Sequence, residues 1–151
     1  MVDNIPPVLL FGYGNLGRGD DALGVLAVEV IAAIQLPNVE CLTDMQLQVE
    51  HIIDLVGRER ILFVDADVSC TAPYVLETVT AQRDNSYSSH TLTPAALLYA
   101  FRQVYGKDAP LAQVLRIRGY SFELGEDLST LAVQHLDTAI RRELTTTTNA
   151  Y

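Results

Sequence analysis

Two short segments that are apolar without alternation constrain this chain more than any other feature. Val8-Leu9-Leu10-Phe11 follows Pro6-Pro7, and Arg60–Asp65 reads RILFVD. A strand with one wet face alternates apolar and polar side chains; a continuous apolar run needs cover on both faces, as in a parallel sheet between helices. The segments between them suit such helices. From Asp20 to Ile34 the apolar positions Leu23, Leu26, Val28, Ile31 and Ile34 make one face. Asp20 or Asp21 is the expected cap and Pro37 the stop. Val49–Leu55 predicts a short helix ending near Gly57. Thr93-Pro94 supplies an N-cap and a first-turn proline for a helix to Tyr105, closed by Gly106. Leu128 to Leu144 predicts the last helix, with Asp127 as its cap. Val39–Thr43 and Leu111–Ile117 are further strands, and Gly12 is expected to stop the first one.

Tyr74–Val79 sets the topology. Eight residues separate it from Asp65, too few for a parallel crossover of about a dozen or more, so this strand is expected to run antiparallel, at an edge. The order is β-α-β-α-β-β-α-β-α. The expected fold is α/β: a three-layer α/β/α sandwich around a five-stranded, mostly parallel twisted sheet with one antiparallel strand. Residues 1–144 form the single expected domain, and the threonine-rich end, 145–151, is expected to fray.

Charge narrows the partners. Lys+Arg is 10 and Asp+Glu is 19, a formal net charge of −9. Neither nucleic acid nor an anionic membrane is expected as a partner, because both need a basic footprint; a metal or a cationic partner fits. Cys41 and Cys70 form no CxxC pair, and two buried thiols in a reducing cytoplasm are expected. No basic-then-apolar leader opens the chain and no apolar run is long enough to span a bilayer, so the expected location is cytoplasmic.

Gly12-Tyr13-Gly14-Asn15-Leu16-Gly17 matches GxGxxG between a strand and a helix, the pattern of a dinucleotide site, with Asp44 available as a ribose carboxylate. Against this, Arg18-Gly19-Asp20-Asp21 puts two carboxylates at the helix start, where a pyrophosphate needs bare N–H groups and the positive dipole end. A plain βα loop with two capping aspartates is the bland alternative.

Function in an open α/β sheet gathers at the carboxyl ends of the strands, near the point where strand order reverses. Asp21 follows strand one, Asp65 ends strand three, and His90 lies in the loop after strand four. Two carboxylates and an imidazole suit a divalent transition metal, nickel or zinc, with positions left open for a partner's ligands. Each residue has a plainer reading, as a cap, a turn former or a solvated loop histidine; their joint placement on one sheet edge favours a site. Asp44 and Gln46 occupy the same edge and suit a specificity loop. Glu50 and His51 are adjacent, so on a helix they point about 100° apart. GxSxG and HExxH are absent, and neither cysteine sits in a nucleophile motif.

Together these segments resemble the maturation endopeptidases of [NiFe]-hydrogenases, from about Val8 to about Ser129. Gly12-Tyr13-Gly14-Asn15 with Asp20-Asp21-Ala22-Leu23-Gly24 is similar to that family's opening box. Val64-Asp65-Ala66, Ser89-His90-Thr91-Leu92 leading into Leu97-Leu98, and Arg118-Gly119 with Glu123-Leu124-Gly125-Glu126-Asp127-Leu128-Ser129 resemble the later ones. Phe11–Asn15, Arg18–Gly24 and Gln46–His51 most resemble the branch serving the bidirectional, NAD-linked (Hox-type) hydrogenase. Where many members carry a D-G-G-T-like box, this chain has Asp44-Met45-Gln46-Leu47, the loop the family associates with choice of substrate.

The resemblance implies a protease that removes the C-terminal extension of the hydrogenase large-subunit precursor after nickel insertion. It places Asp21, Asp65 and His90 on the nickel, Asp44, Gln46 and Leu47 in the specificity loop, and Gly12, Gly14 and Asn15 in the glycine loop. Asp21 and Asp65 are the expected catalytic pair; the metal polarising the scissile carbonyl or a water, or an aspartate acting as general base, are the two routes open to it. Nickel is then a recognition handle supplied by the substrate and not held permanently. A dinucleotide-binding module and a non-catalytic nickel-binding accessory protein are the alternatives.

Overall fold

The computed structural model describes residues 5–83 and 92–146. Five strands, β1 (Val8–Tyr13), β2 (Val39–Asp44), β3 (Arg60–Asp67), β4 (Tyr74–Val79) and β5 (Leu111–Arg118), form one sheet in the order β2-β1-β3-β5-β4. All neighbours are parallel except β4 and β5, where Tyr74 faces Ile117 and Val79 faces Ala112 in antiparallel register. The short β3–β4 connection thus has the consequence expected of it, an antiparallel strand at the edge. Helices α1 (Leu23–Ala32), α2 (Ile52–Leu55), α3 (Pro94–Tyr105) and α4 (Thr130–Ala139) cover the two faces.

The apolar runs alternate between two cores. Leu9, Phe11, Ile61, Phe63 and Val114 point to the side of α2 and α3, where Leu55, Leu97 and Phe101 meet them. Leu10, Leu62, Val64, Leu115 and Ile117 point to the side of α1 and α4, against Leu23, Val28, Ile31 and Ala132. Both sets are almost fully buried, which explains why these strands show no polar alternation. Burying each such side chain contributes about 1.5–3 kcal/mol.

Several boundaries differ from expectation for identifiable reasons. Gly12 does not end β1. It stays in the strand because α1 lies directly on it: a Cβ at Gly12 would sit 2.3 Å from the Gly24 carbonyl oxygen. The helical segment begins as a 3-10 turn, Gly19–Ala22, with no side-chain cap, so neither Asp20 nor Asp21 caps it. Helix α1 stops at Ala32, ahead of Pro37, and leaves Ile34 exposed. Ser129, not Asp127, caps α4, its side chain accepting from the Ala132 N–H. After Ala139 that helix widens into a π turn over Ile140–Leu144. Thr93 caps α3 and Gly106 closes it in the left-handed region, as expected. Cys41 and Cys70 are unpaired and only partly buried. Helical turns continue through Thr146, and the rest of the expected tail, 147–151, lies outside the described residues. Among the described residues no helix is long and apolar enough to cross a membrane.

Gly24 completes the contact between α1 and the sheet, since a Cβ there would lie 2.4 Å from the Val64 carbonyl oxygen and 2.7 Å from that of Tyr13. Backbone cannot retreat as a flexible side-chain tip can. Gly24→Ala is therefore expected to cost about 3 kcal/mol in urea unfolding through overpacking, whereas Gly106→Ala, which meets nothing within 4 Å, pays only for its left-handed backbone, about 1 kcal/mol.

Candidate functional site

Strand order reverses between β1 and β3: the chain leaves β1 for β2 on one side, then crosses to β3 on the other. At their carboxyl ends a cleft of about 600 Å³ opens, lined by Asp21, Asp65, Asp44, Gln46, Arg18 and Phe122, with Tyr13, Gly14 and Asn15 as its floor. Asp21 is held over the strand ends by the Gly12–Gly24 contact just beyond it. The Asn15 N–H donates to its Oδ2 at 3.0 Å. Gly14 has φ 145°, and a Cβ there would lie 2.0 Å from the Asp21 carbonyl oxygen. The glycine loop is thus packed down onto Asp21, with that carboxylate at the helix entrance where a dinucleotide's pyrophosphate would sit.

Asp65 ends the buried part of β3. Burial raises its carboxyl most, the Asp21 charge raises it further, and together they outweigh the Ala66 N–H, the Tyr13 hydroxyl and the Arg116 charge, leaving it pushed up to about 7. The Ala66 N–H donates to Asp65 Oδ1 at 2.8 Å. Tyr13, deeply buried, hydrogen-bonds the same carboxylate; burial and the Asp65 charge both raise its hydroxyl. Arg116 faces Asp65 across the β3–β5 register, but its guanidinium is engaged by Glu77 at 2.6 Å and Asp67 at 3.8 Å. Neighbouring cations therefore neutralise Asp65 only in part.

Asp20, beside Asp21 in sequence, points the other way and is fully buried. Its carboxylate accepts from the N–H groups of Tyr120 (2.8 Å), Ser121 (3.2 Å) and Ser129 (2.7 Å) and from the Ser129 hydroxyl (2.8 Å). Burial alone would raise this carboxyl; the hydrogen bonds from Ser129, Tyr120 and Ser121 outweigh it and hold it below the usual range. Asp20 thereby ties the β1–α1 loop to the β5–α4 loop, which contributes Phe122 to the cleft wall. Sequence reasoning missed this role, because partners about 100 positions away leave no local signal.

The expected specificity loop divides. Asp44 and Gln46 face the cleft. Leu47 is 1% exposed and packs in the core with Phe11 and Ile52, so it anchors the loop. Asp44 Oδ1 accepts from the Met45 N–H at 2.6 Å. His51 Nδ1 accepts from the Gln48 N–H at 2.8 Å, which leaves the ring proton on Nε2 to be donated to Asp44 Oδ2 at 3.1 Å. His51 thus orients Asp44, a partnership that seven positions of separation hid. Glu50 is exposed. His90 lies outside the described residues, and among the described residues no three His, Cys, Asp or Glu side chains cluster closely enough to hold a metal.

Asp20 and Asp65 respond differently to substitution. Asp20→Ala leaves three buried N–H groups without their acceptor and is expected to cost about 3 kcal/mol in urea unfolding, with Asp20→Asn losing less. Asp65 has a folded pKa of about 7 against about 3.9 unfolded, so the folded state binds the extra proton between them. Stability contributed by the protonated form is full below about pH 4 and is lost as pH rises towards 7, at up to roughly 1.4 kcal/mol per unit. Relative to wild type, Asp65→Asn is expected to gain stability across that window; parallel pH profiles for the two proteins would contradict it.

No protein-family model matches the chain, and no curated protein matches it in sequence. Solved structures do. The hydrogenase maturating endopeptidase HybD from E. coli superposes with a TM-score of 0.73 at 25% identity, covering 95% of this chain and 93% of that one. An endopeptidase from Escherichia coli, solved in solution, gives 0.69 at 26% identity over 95% and 93%. The [NiFe] hydrogenase maturation protease HycI from Thermococcus kodakarensis KOD1 gives 0.70 at 21% identity over 90% and 88%, a likeness of fold.

Proposed function

We propose that this chain is a peptide-bond hydrolase of the hydrogenase-maturation kind, which removes the C-terminal extension from a [NiFe]-hydrogenase large-subunit precursor once nickel is in place. The observation that carries this reading is the pair Asp21 and Asp65, facing one open cleft at the switch point of a fold shared over nearly its whole length with a hydrogenase maturating endopeptidase. The similarity of Phe11–Asn15, Arg18–Gly24 and Gln46–His51 to the Hox-type branch extends the proposal to a precursor of the bidirectional, NAD-linked enzyme.

The electrostatics suit that task. A cleft with three carboxylates, Asp21, Asp44 and Asp65, and one lining arginine, Arg18, is built to receive positive charge. Nickel already bound in the precursor supplies it. Asp21 and Asp65 meet the ion, with His90 as the third contact, and a precursor lacking nickel offers them nothing to hold. Few ligands on this side keep the isolated protein from retaining metal, which separates this reading from a nickel-storing accessory protein. For hydrolysis, Asp21 or Asp65 acts as the general base, taking the proton of the attacking water and returning it to the departing amine. The Tyr13 hydroxyl and the Ala66 N–H hold the orientation of Asp65, and the Asn15 N–H does the same for Asp21.

The test is the mass of the precursor. Mixed with the wild-type chain, nickel-loaded precursor is expected to shorten by a C-terminal peptide, and nickel-free precursor to stay intact. Asp21→Ala, Asp65→Ala and His90→Ala are each expected to slow cleavage by about a hundredfold or more. Wild-type rates in all three would remove the site from the reaction, and tight nickel binding by the isolated chain without cleavage would favour the accessory reading.

A further inference from the structure

Beside the acidic cleft lies a second groove, of about 390 Å³, that the proposed hydrolysis does not use. Its walls are Leu16, Val25, Thr43 and Met45. Leu16 is 57% exposed and Met45 63%. Single exposed apolar residues are ordinary on a protein surface, but these two flank one groove, and the fold does not need their side chains. The turn at Leu16 is held by the Asn15 side chain accepting from the Gly17 N–H at 2.8 Å. The turn at Met45 is held by Asp44 Oδ1, and the loop's anchorage in the core comes from Leu47, two residues on.

Groove and cleft are continuous. Gly14, Asn15, Asp44 and Met45 line both. An extended peptide advances about 3.4 Å per residue, and because groove and cleft share lining residues, a chain with one peptide bond over Asp21 and Asp65 runs on directly into the groove. Two carboxylates stand at the groove, Glu29 and Asp44. Asp44 is already engaged by His51 and the Met45 N–H, and Glu29 sits at an exposed position of α1. Of the other walls, Leu16, Val25 and Met45 are apolar and Thr43 adds one hydroxyl, and methionine is unbranched and adapts to its guest.

We infer that the groove walled by Leu16, Val25 and Met45 is a subsite for an apolar side chain of the protein substrate, within three residues of the bond that is cut. The inference rests on the reading of this chain as a precursor-cleaving endopeptidase and adds what part of the substrate it recognises besides nickel.

The experiment combines kinetics and crosslinking on nickel-loaded precursor. Leu16→Ala and Met45→Ala are each expected to lower kcat/KM about tenfold, the usual size of a lost apolar pocket contact, through KM, at an unchanged cleavage position, and Met45→Leu to restore it. Because both side chains are exposed, folding should not change; unfolding curves check this. With the photocrosslinker p-benzoylphenylalanine at position 16 or 45, the precursor is expected to be captured at an apolar residue within three positions of the scissile bond. Wild-type kinetics in both alanine variants would overturn the subsite while leaving the protease reading intact. So would capture at a lysine or arginine, or far from the cut. Absence of cleavage by the wild-type chain would overturn both.

Discussion

The close backbone contact between α1 and the sheet is the constraint on which the rest depends. Gly12 and Gly24 carry no side chain where strand and helix meet, so the helix start lies directly on β1 and reaches the Val64 carbonyl of β3. That seat sets the height of the turn carrying Asp20 and Asp21. The two aspartates then divide the work. Asp20 turns inward and binds the β5–α4 loop through four hydrogen bonds, while Asp21 turns outward into the cleft. A glycine pattern that looks like a nucleotide fingerprint serves in this fold to pack a loop onto a carboxylate.

Electrostatics at the strand ends is left unbalanced. Asp65 sits where burial and Asp21 disfavour its charge, and the nearest arginine is shared with two other carboxylates. Such an arrangement costs the folded chain stability at neutral pH, a cost commonly found where a group is held ready for chemistry. In the proposed reaction a cation carried by the substrate relieves it, so that recognition and the relief of strain between charges are one event.

Much of the fold was legible in the sequence because it follows from local rules. Unalternating strands implied a sheet covered on both faces, a short connection implied one reversed edge strand, and Thr93-Pro94 and Gly106 marked both ends of α3. Expectations failed where distant contacts override local preference. Gly12 looked like a strand terminator and is a packing contact; Asp127 looked like a cap, but Ser129 has the geometry. That Asp21 and Asp65 would meet at one sheet edge was legible from their places after β1 and β3, and both line the cleft. The groups that tune and position them were not. Tyr13 reads as one more strand residue, Asp20 as a helix cap, and His51 as half of an unexplained pair, since each acquires its role from a partner that only folding supplies.

Completion of a substrate-borne ion's coordination by Asp21 and Asp65 is tested most directly by nickel K-edge X-ray absorption. Spectra of the loaded precursor alone and of its complex with this protein, frozen before cleavage, should differ by added oxygen or nitrogen scatterers near 2 Å, the usual distance for carboxylate and imidazole ligands. An identical first shell in the two samples, with the complex verified to have formed, would contradict it.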